Sequence, residues 1–137
     1  MAHTASASYG TAVMCARQAQ EKLAHDLLVL DLSQIEGSPS EFFVIASVDS
    51  AAQLRSVRDA ILRAMKNEGF GLPRIDGNDE SNWIVLDYFD VVVHIMLNDA
   101  RTFYNLERMW GDAKVWGITS EGAAHELKNV PRRSAIS

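Results

Sequence analysis

The chain has 137 residues, of which 13 are basic and 18 acidic, for a net charge of -5, and 47% are apolar. That length suits one ordinary domain, and the apolar fraction can fill its core. The acidic balance argues against broad nucleic-acid binding, which depends on Lys and Arg, but the same charge would attract a basic protein.

The single Cys15 has no second thiol, which excludes an intrachain disulfide and a cysteine-based zinc site. No apolar stretch reaches the roughly 18 residues expected of a membrane span. The first twenty residues contain Arg17 and no acidic residue, as organelle-targeting segments do, but they lack a secretory apolar core. A cytoplasmic protein is the simpler reading.

Residues 1–8 are rich in Ala, Ser and Thr and are expected to fray. The spacing of Val13, Ala16, Gln20, Leu23, Ala24 and Leu27 predicts a helix from about Thr11 to His25. Leu27 to Leu32 is apolar enough for a strand. Glu36-Gly37-Ser38-Pro39-Ser40 is a turn, and Phe42 to Ala46 reads as a second, buried strand. Ser50 and Gln53 then stand at capping-box spacing. Leu54, Val57, Ile61, Leu62 and Met65 make one apolar stripe, with Arg55, Arg58, Asp59, Arg63 and Lys66 largely on the other side. Gly69 and Gly71 end this helix. Leu72 to Asn82 is a polar connection whose strongest turn signal is Asp76-Gly77.

From Trp83 the pattern alternates. Trp83, Val85 and Asp87 share one strand face, and Ile84, Leu86 and Tyr88 the other. After a short turn at Asp87 to Asp90, Val91 to Leu97 is apolar on both faces, as a covered central strand should be. The short link predicts an antiparallel hairpin. A third helix starts at Asn98 or Asp99 and ends near Trp110-Gly111, and Ala113 to Trp116 reads as an edge strand. Glu121 to Ser137 has a weak helix start without an apolar stripe. The order predicts a single α+β domain over residues 9–118, a mixed sheet with helices on both faces. Residues 1–8 and 119–137 are read as flexible or weakly ordered tails.

For chemistry, His94 is the obvious candidate, because it sits in the central strand close in sequence to Asp87 and Asp90. A hydrogen-bonded core or rim histidine is the favoured reading. Asp31 and Asp87 stand at strand ends, where carboxylates cap turns more often than they bind metal. Ser47-Val48-Asp49-Ser50 precedes a helix but lacks the glycines and lysine of a phosphate loop. The aromatic residues are the stronger signal. Phe103, Leu106 and Trp110 are three and four apart and can seal the core, with Tyr104 one position off that stripe and Glu107 beside it. For Trp83, Tyr104 and Trp110 the pattern leaves core and interface roles open. Tyr and Trp suit interfaces because one rigid side chain gives apolar area and a polar handle.

At these residues the chain resembles the ribosomal silencing factor, or Iojap, family. Trp83 to His94 is similar to its Trp-(Val/Ile)-(Leu/Val)-Leu-Asp-Tyr-Gly-Asp-Val-Val-Val-His motif, and Phe103 to Trp110 to its Phe-Tyr-x-Leu-Glu-x-Leu-Trp. Ala24 to Leu32 and Phe42 to Ser47 match its first two strands, so the likeness covers about residues 15–116. The chain departs at Phe89 and Val48, where the family usually has glycine, and at Glu41-Phe42-Phe43, usually Asp-Tyr-Phe.

The resemblance implies a fold like that of the nucleotidyltransferases, without their activity. The Gly-Ser signature joined to paired Asp-x-Asp ligands is missing here. It also implies no cofactor or metal, and binding to the large ribosomal subunit at its protein number fourteen, with little direct rRNA contact. The function implied is translational repression by blocking subunit joining; the alternatives are a large-subunit assembly factor and a residual nucleotide-binding or nucleotidyltransferase enzyme. A homodimer of the free protein is compatible with it. The contact region it implies is Trp83, Asp87, Tyr88, Asp90, His94, Tyr104, Leu106, Glu107 and Trp110, some touching the partner and some shaping the surface beneath.

Overall fold

A computed structural model describes residues 2–131, with the side chains of 7–131. Helix α1 (Ala2–Glu21) leads into β1 (His25–Asp31) and β2 (Phe42–Val48), followed by α2 (Ala51–Asn67). Then come β3 (Arg74–Asp76), β4 (Trp83–Asp87), β5 (Val91–Leu97), α3 (Asn98–Tyr104), α4 (Leu106–Met109), β6 (Lys114–Ile118) and β7 (Ala124–Leu127). The seven strands form one sheet in the order β3-β4-β5-β2-β1-β6-β7. β2 and β5 are parallel and every other pair is antiparallel, so the sheet is mixed. The chain passes from β2 through α2 to the β3–β4–β5 meander, which makes α2 the crossover.

The central strands are apolar on both sides because both sides are covered. On one face Val29, Val44, Ile84, Leu86, Val93 and Ile95 pack against α1 and α2. Ala12, Cys15, Ala16 and Ala19 are fully buried there, and such small side chains let α1 lie close to the sheet. Burial pushes the Cys15 thiol up to about 12, so it behaves as an unreactive apolar group. On the other face Leu28, Leu30, Phe43, Ile45, Val92 and Met96 pack under Ala100 and Leu106 of α3 and α4.

The expected start of α2 is observed in detail. Ser50 Oγ accepts the backbone N–H of Gln53 at 3.1 Å, and Gln53 Oε1 accepts the N–H of Asp49 at 2.7 Å. Leu54, Val57, Ile61 and Met65 are fully buried, while Leu62 lies half-buried beside them. The β4–β5 hairpin is antiparallel as expected, with Trp83 opposite Met96 and Asp87 opposite Val92.

Five expectations need correction. Helix α1 begins at Ala2 and ends at Glu21, short of the expected His25; Leu23 is at φ +67 and 80% exposed instead of joining the stripe. The Leu72–Asn82 connection contains β3, whose three exposed residues carry no alternation to read. The third helix is broken at Asn105. Strand β6 is no edge, because β7 pairs with it at Val115–Leu127 through Ile118–Ala124. Ordered structure therefore passes the expected boundary at residue 118, with Ala124–Leu127 as a strand where a tail and a weak helix start were read. The last six residues of that expected tail, 132–137, lie outside the described residues.

Two turns hold strained or crowded backbone. Gly77 is at φ +105, and a Cβ there would stand 2.8 Å from the carbonyl oxygen of Trp83, so the position admits only glycine comfortably. Phe89 is at φ +78, in the left-handed region, with its ring 84% exposed. That conformation costs a residue with a Cβ about 1–2 kcal/mol. The chain thus keeps a glycine-like turn and exposes the phenyl ring.

Candidate partner-docking face

Strand alternation places Trp83, Val85 and Asp87 on the face opposite α1 and α2, where Trp83 and Val85 pack at the margin of the second core layer. Six rings form a continuous series across this face. Phe103 meets Tyr104 edge-on at 4.9 Å between ring centroids, and Tyr104 leans on Trp83 at 4.7 Å. Trp83 lies 5.8 Å from His94, His94 4.5 Å from Phe43, and Phe43 5.9 Å from Trp110. The series runs from solvent to core: Phe103 is 79% exposed and Tyr104 47%, whereas His94 and Phe43 are buried. Trp83 and Trp110 are half-buried.

Trp83 Nε1–H donates to His94 Nδ1 at 3.1 Å. A neutral imidazole accepting there carries its own proton on Nε2. Burial, and then the nearby Arg101 guanidinium, push the His94 pKa down to about 4, so the ring is neutral at physiological pH. The structural reading of His94 is the one observed. Its hydrogen bond goes to an indole, not to Asp87 or Asp90.

Beneath the exposed end lies an ion pair that the sequence did not reveal. Arg101 Nε stands 3.0 Å from Glu107 Oε2, and Arg101 Nη1 donates to Ser47 Oγ at 2.7 Å. All three residues are buried. The pair spans six residues, which one straight helix does not bring together on a face. The break at Asn105 makes it possible: Asn105 is left-handed at φ +45, ψ +53, and turns the chain so that α4 folds back. The same break separates Phe103 from Leu106. Phe103 is therefore exposed instead of sealing the core as expected, while Leu106 is buried as expected. Met109 of α4 is likewise exposed, at 72%.

Of the nine residues in the implied contact region, the fold gathers Trp83, His94, Tyr104, Leu106, Glu107 and Trp110 at this face. His94, Leu106 and Glu107 lie beneath the surface and shape it; Trp83, Tyr104 and Trp110 reach it. Asp87, Tyr88 and Asp90 stand apart at the hairpin turn. Asp87 Oδ1 accepts the N–H of Phe89 at 2.8 Å, the turn-capping role expected of it, and Asp31 does the same for Ser33 at 2.9 Å. Tyr88 points to the opposite face, against Phe70 at 6.2 Å, and lines a groove with Asp90, Ser8 and Thr11 of α1. Among the described residues no three His, Cys, Asp or Glu side chains form a group able to hold a metal, and no helix is long and apolar enough to cross a membrane.

These side chains define an α+β protein with one aromatic sheet face, open at Phe103 and Tyr104 and underpinned by the buried His94 and Phe43, a surface suited to docking. The chain belongs to the ribosomal silencing factor family: residues 5–136 match the family described as "Ribosomal silencing factor during starvation". A Bacillus subtilis protein named "Ribosomal silencing factor RsfS" is 34% identical over 100 residues, covering 73% of this chain and 84% of the relative. The maize "Protein Iojap, chloroplastic" is 37% identical over 105 residues, 74% of this chain and 44% of that protein. A crystal structure of a Chromobacterium violaceum protein superposes with a TM-score of 0.67 at 26% identity, covering 77% of this chain and 84% of the other.

Proposed function

We propose that the protein binds the large ribosomal subunit in the cytoplasm, at the subunit's protein number fourteen, and sterically blocks joining of the small subunit. It acts by occupancy and carries out no reaction. The observation that carries this reading is the Trp83–Tyr104 pair, a large aromatic surface left half open but held by ordered packing. Rigid aromatic side chains of this kind anchor interfaces, because little rotamer freedom is lost on docking. Family membership points the same way. The net charge of -5 suits a basic ribosomal protein and disfavours direct rRNA contact. His94 is neutral and held by Trp83, and Asp31 and Asp87 cap their own turns, so these groups already have structural roles.

The test is sedimentation of mixed ribosomal subunits with excess protein. Fewer joined ribosomes are expected, with the protein travelling in the large-subunit fraction. Unchanged joining while the protein saturates the large subunit would refute the mechanism.

A further inference from the structure

Arg101 lies in the last turn of α3 and Glu107 in the first turn of α4, and the two helices meet at Asn105, left-handed although it is not glycine. Two backbone bonds span the break: Asn105 N–H donates to the Arg101 carbonyl and Arg108 N–H to the Asn105 carbonyl, each at 3.0 Å. Helix α4 has only four residues, and helices shorter than about 12 residues do not hold themselves in water. Side chains must therefore keep it in place.

Arg101 donates in two directions at once. Its Nε reaches Glu107 Oε2 at 3.0 Å and Oε1 at 3.3 Å, and its Nη1 reaches Ser47 Oγ at 2.7 Å. Ser47 belongs to the central strand β2, so the guanidinium ties both helices to the sheet. The rings that reach the surface stand on either side of this tie: Tyr104 ends α3 and Trp110 follows α4. Arg101 and Glu107 are 1% and 0% exposed, so any effect they have on docking is indirect.

We propose that Arg101 is a positioning residue for docking: by reaching Glu107 and Ser47 together, it locks the α3–α4 turn in the arrangement that presents Tyr104 and Trp110 as one surface. This rests on the docking reading above. The guanidinium fork fixes one geometry, where an apolar pair of similar volume allows several. Without it only a fraction of the molecules display the complete face, and apparent affinity falls by that fraction.

Two variants test this, with Tyr104→Ala as reference. Arg101→Met with Glu107→Leu replaces the pair by apolar side chains, and Ser47→Ala keeps the pair but removes its tie to the sheet. Amide hydrogen exchange is read on the free protein, and association and dissociation rates on purified large subunits. In the double variant the amides of 105–110 should exchange about tenfold faster while those of β2 and β5 stay protected. Its binding should weaken about tenfold, through slower association with parent-like dissociation. S47A should shift both readouts the same way by about threefold, and it decides alone if the double variant does not fold. Y104A loses a contact and should instead dissociate faster. Parent-like exchange, or faster exchange with parent-like association, overturns the inference, and weakened binding by Y104A then leaves the docking reading standing. A loss that lies in the dissociation rate also overturns it. A parent protein that does not bind the large subunit overturns both.

Discussion

Trp83 donates its indole N–H to Nδ1 of His94 across the β4–β5 hairpin, at 3.1 Å, and so couples the half-open aromatic face to a neutral, buried imidazole. The two residues lie on neighbouring strands, with Trp83 opposite Met96 and Val85 opposite His94, so the bond is diagonal. A proton on Nδ1 would displace the indole, and a charged imidazole would sit buried beside Arg101.

Stability should therefore fall as the pH drops from about 6.5 to about 4. The His94 pKa is about 4 in the folded chain against 6.5 for an unperturbed histidine, so over that window the unfolded state binds the extra proton. Stability is complete above 6.5 and declines until the folded form also titrates. The expected loss is on the order of 3 kcal/mol, measured by urea unfolding at a series of pH values. His94→Asn keeps an acceptor for Trp83 and cannot take the proton, so it should flatten the slope. An unchanged slope in that variant would remove His94 as its source.

The Arg101–Glu107 pair makes a different prediction. Removing one partner leaves a buried charge without its counterpart, which costs about 3–5 kcal/mol, so Arg101→Met and Glu107→Leu should each be severe. The double variant should cost less than the sum of the two, because no charge is then stranded. Denaturant unfolding of all four forms gives the coupling directly. Additive losses would mean that the pair does not act as a unit in holding the α3–α4 break.

Much of this fold was legible because its signals are local. The Ser50–Gln53 cap, the α2 stripe and the Trp83–Leu97 alternation each lie within a few residues, and each is observed. The hairpin aromatics were legible as candidates for the same reason. What escaped depends on contacts distant in sequence or on weak patterns. His125 and Glu126 of β7 are polar and exposed, so only pairing with β6 makes that segment a strand. The break at Asn105 goes with a buried ion pair that closes across it and onto Ser47 of another strand, partners a local pattern does not show. Helical periodicity carried through that break wrongly put Phe103 in the core.

Gly77→Ala should be destabilising by more than about 1 kcal/mol, because it combines a left-handed backbone with a new methyl group against the Trp83 carbonyl. The disturbance should reach the aromatic face, since Trp83 is the first residue of β4. A melting curve gives the first effect, and tryptophan fluorescence of the folded protein the second. A parent-like melting temperature would show that the turn relaxes around the methyl group.

Tyr104, Phe103 and Trp110 should separate by function when each is replaced by alanine. Tyr104 is 47% exposed and its main contacts are the rings of Trp83 and Phe103. Its loss should weaken large-subunit binding by roughly 1–3 kcal/mol while leaving thermal unfolding almost unchanged. Phe103, 79% exposed, should likewise be nearly neutral for stability, which is the opposite of what a continuous helix would require. Trp110 packs edge-on against the buried Phe43, so its truncation should cost on the order of 2–5 kcal/mol of stability and weaken binding by loosening the face. A melting curve and a binding titration for each variant decide the matter. If Y104A unfolds much earlier than the parent and its folded fraction binds normally, Tyr104 is a structural prop and the docking face lies elsewhere.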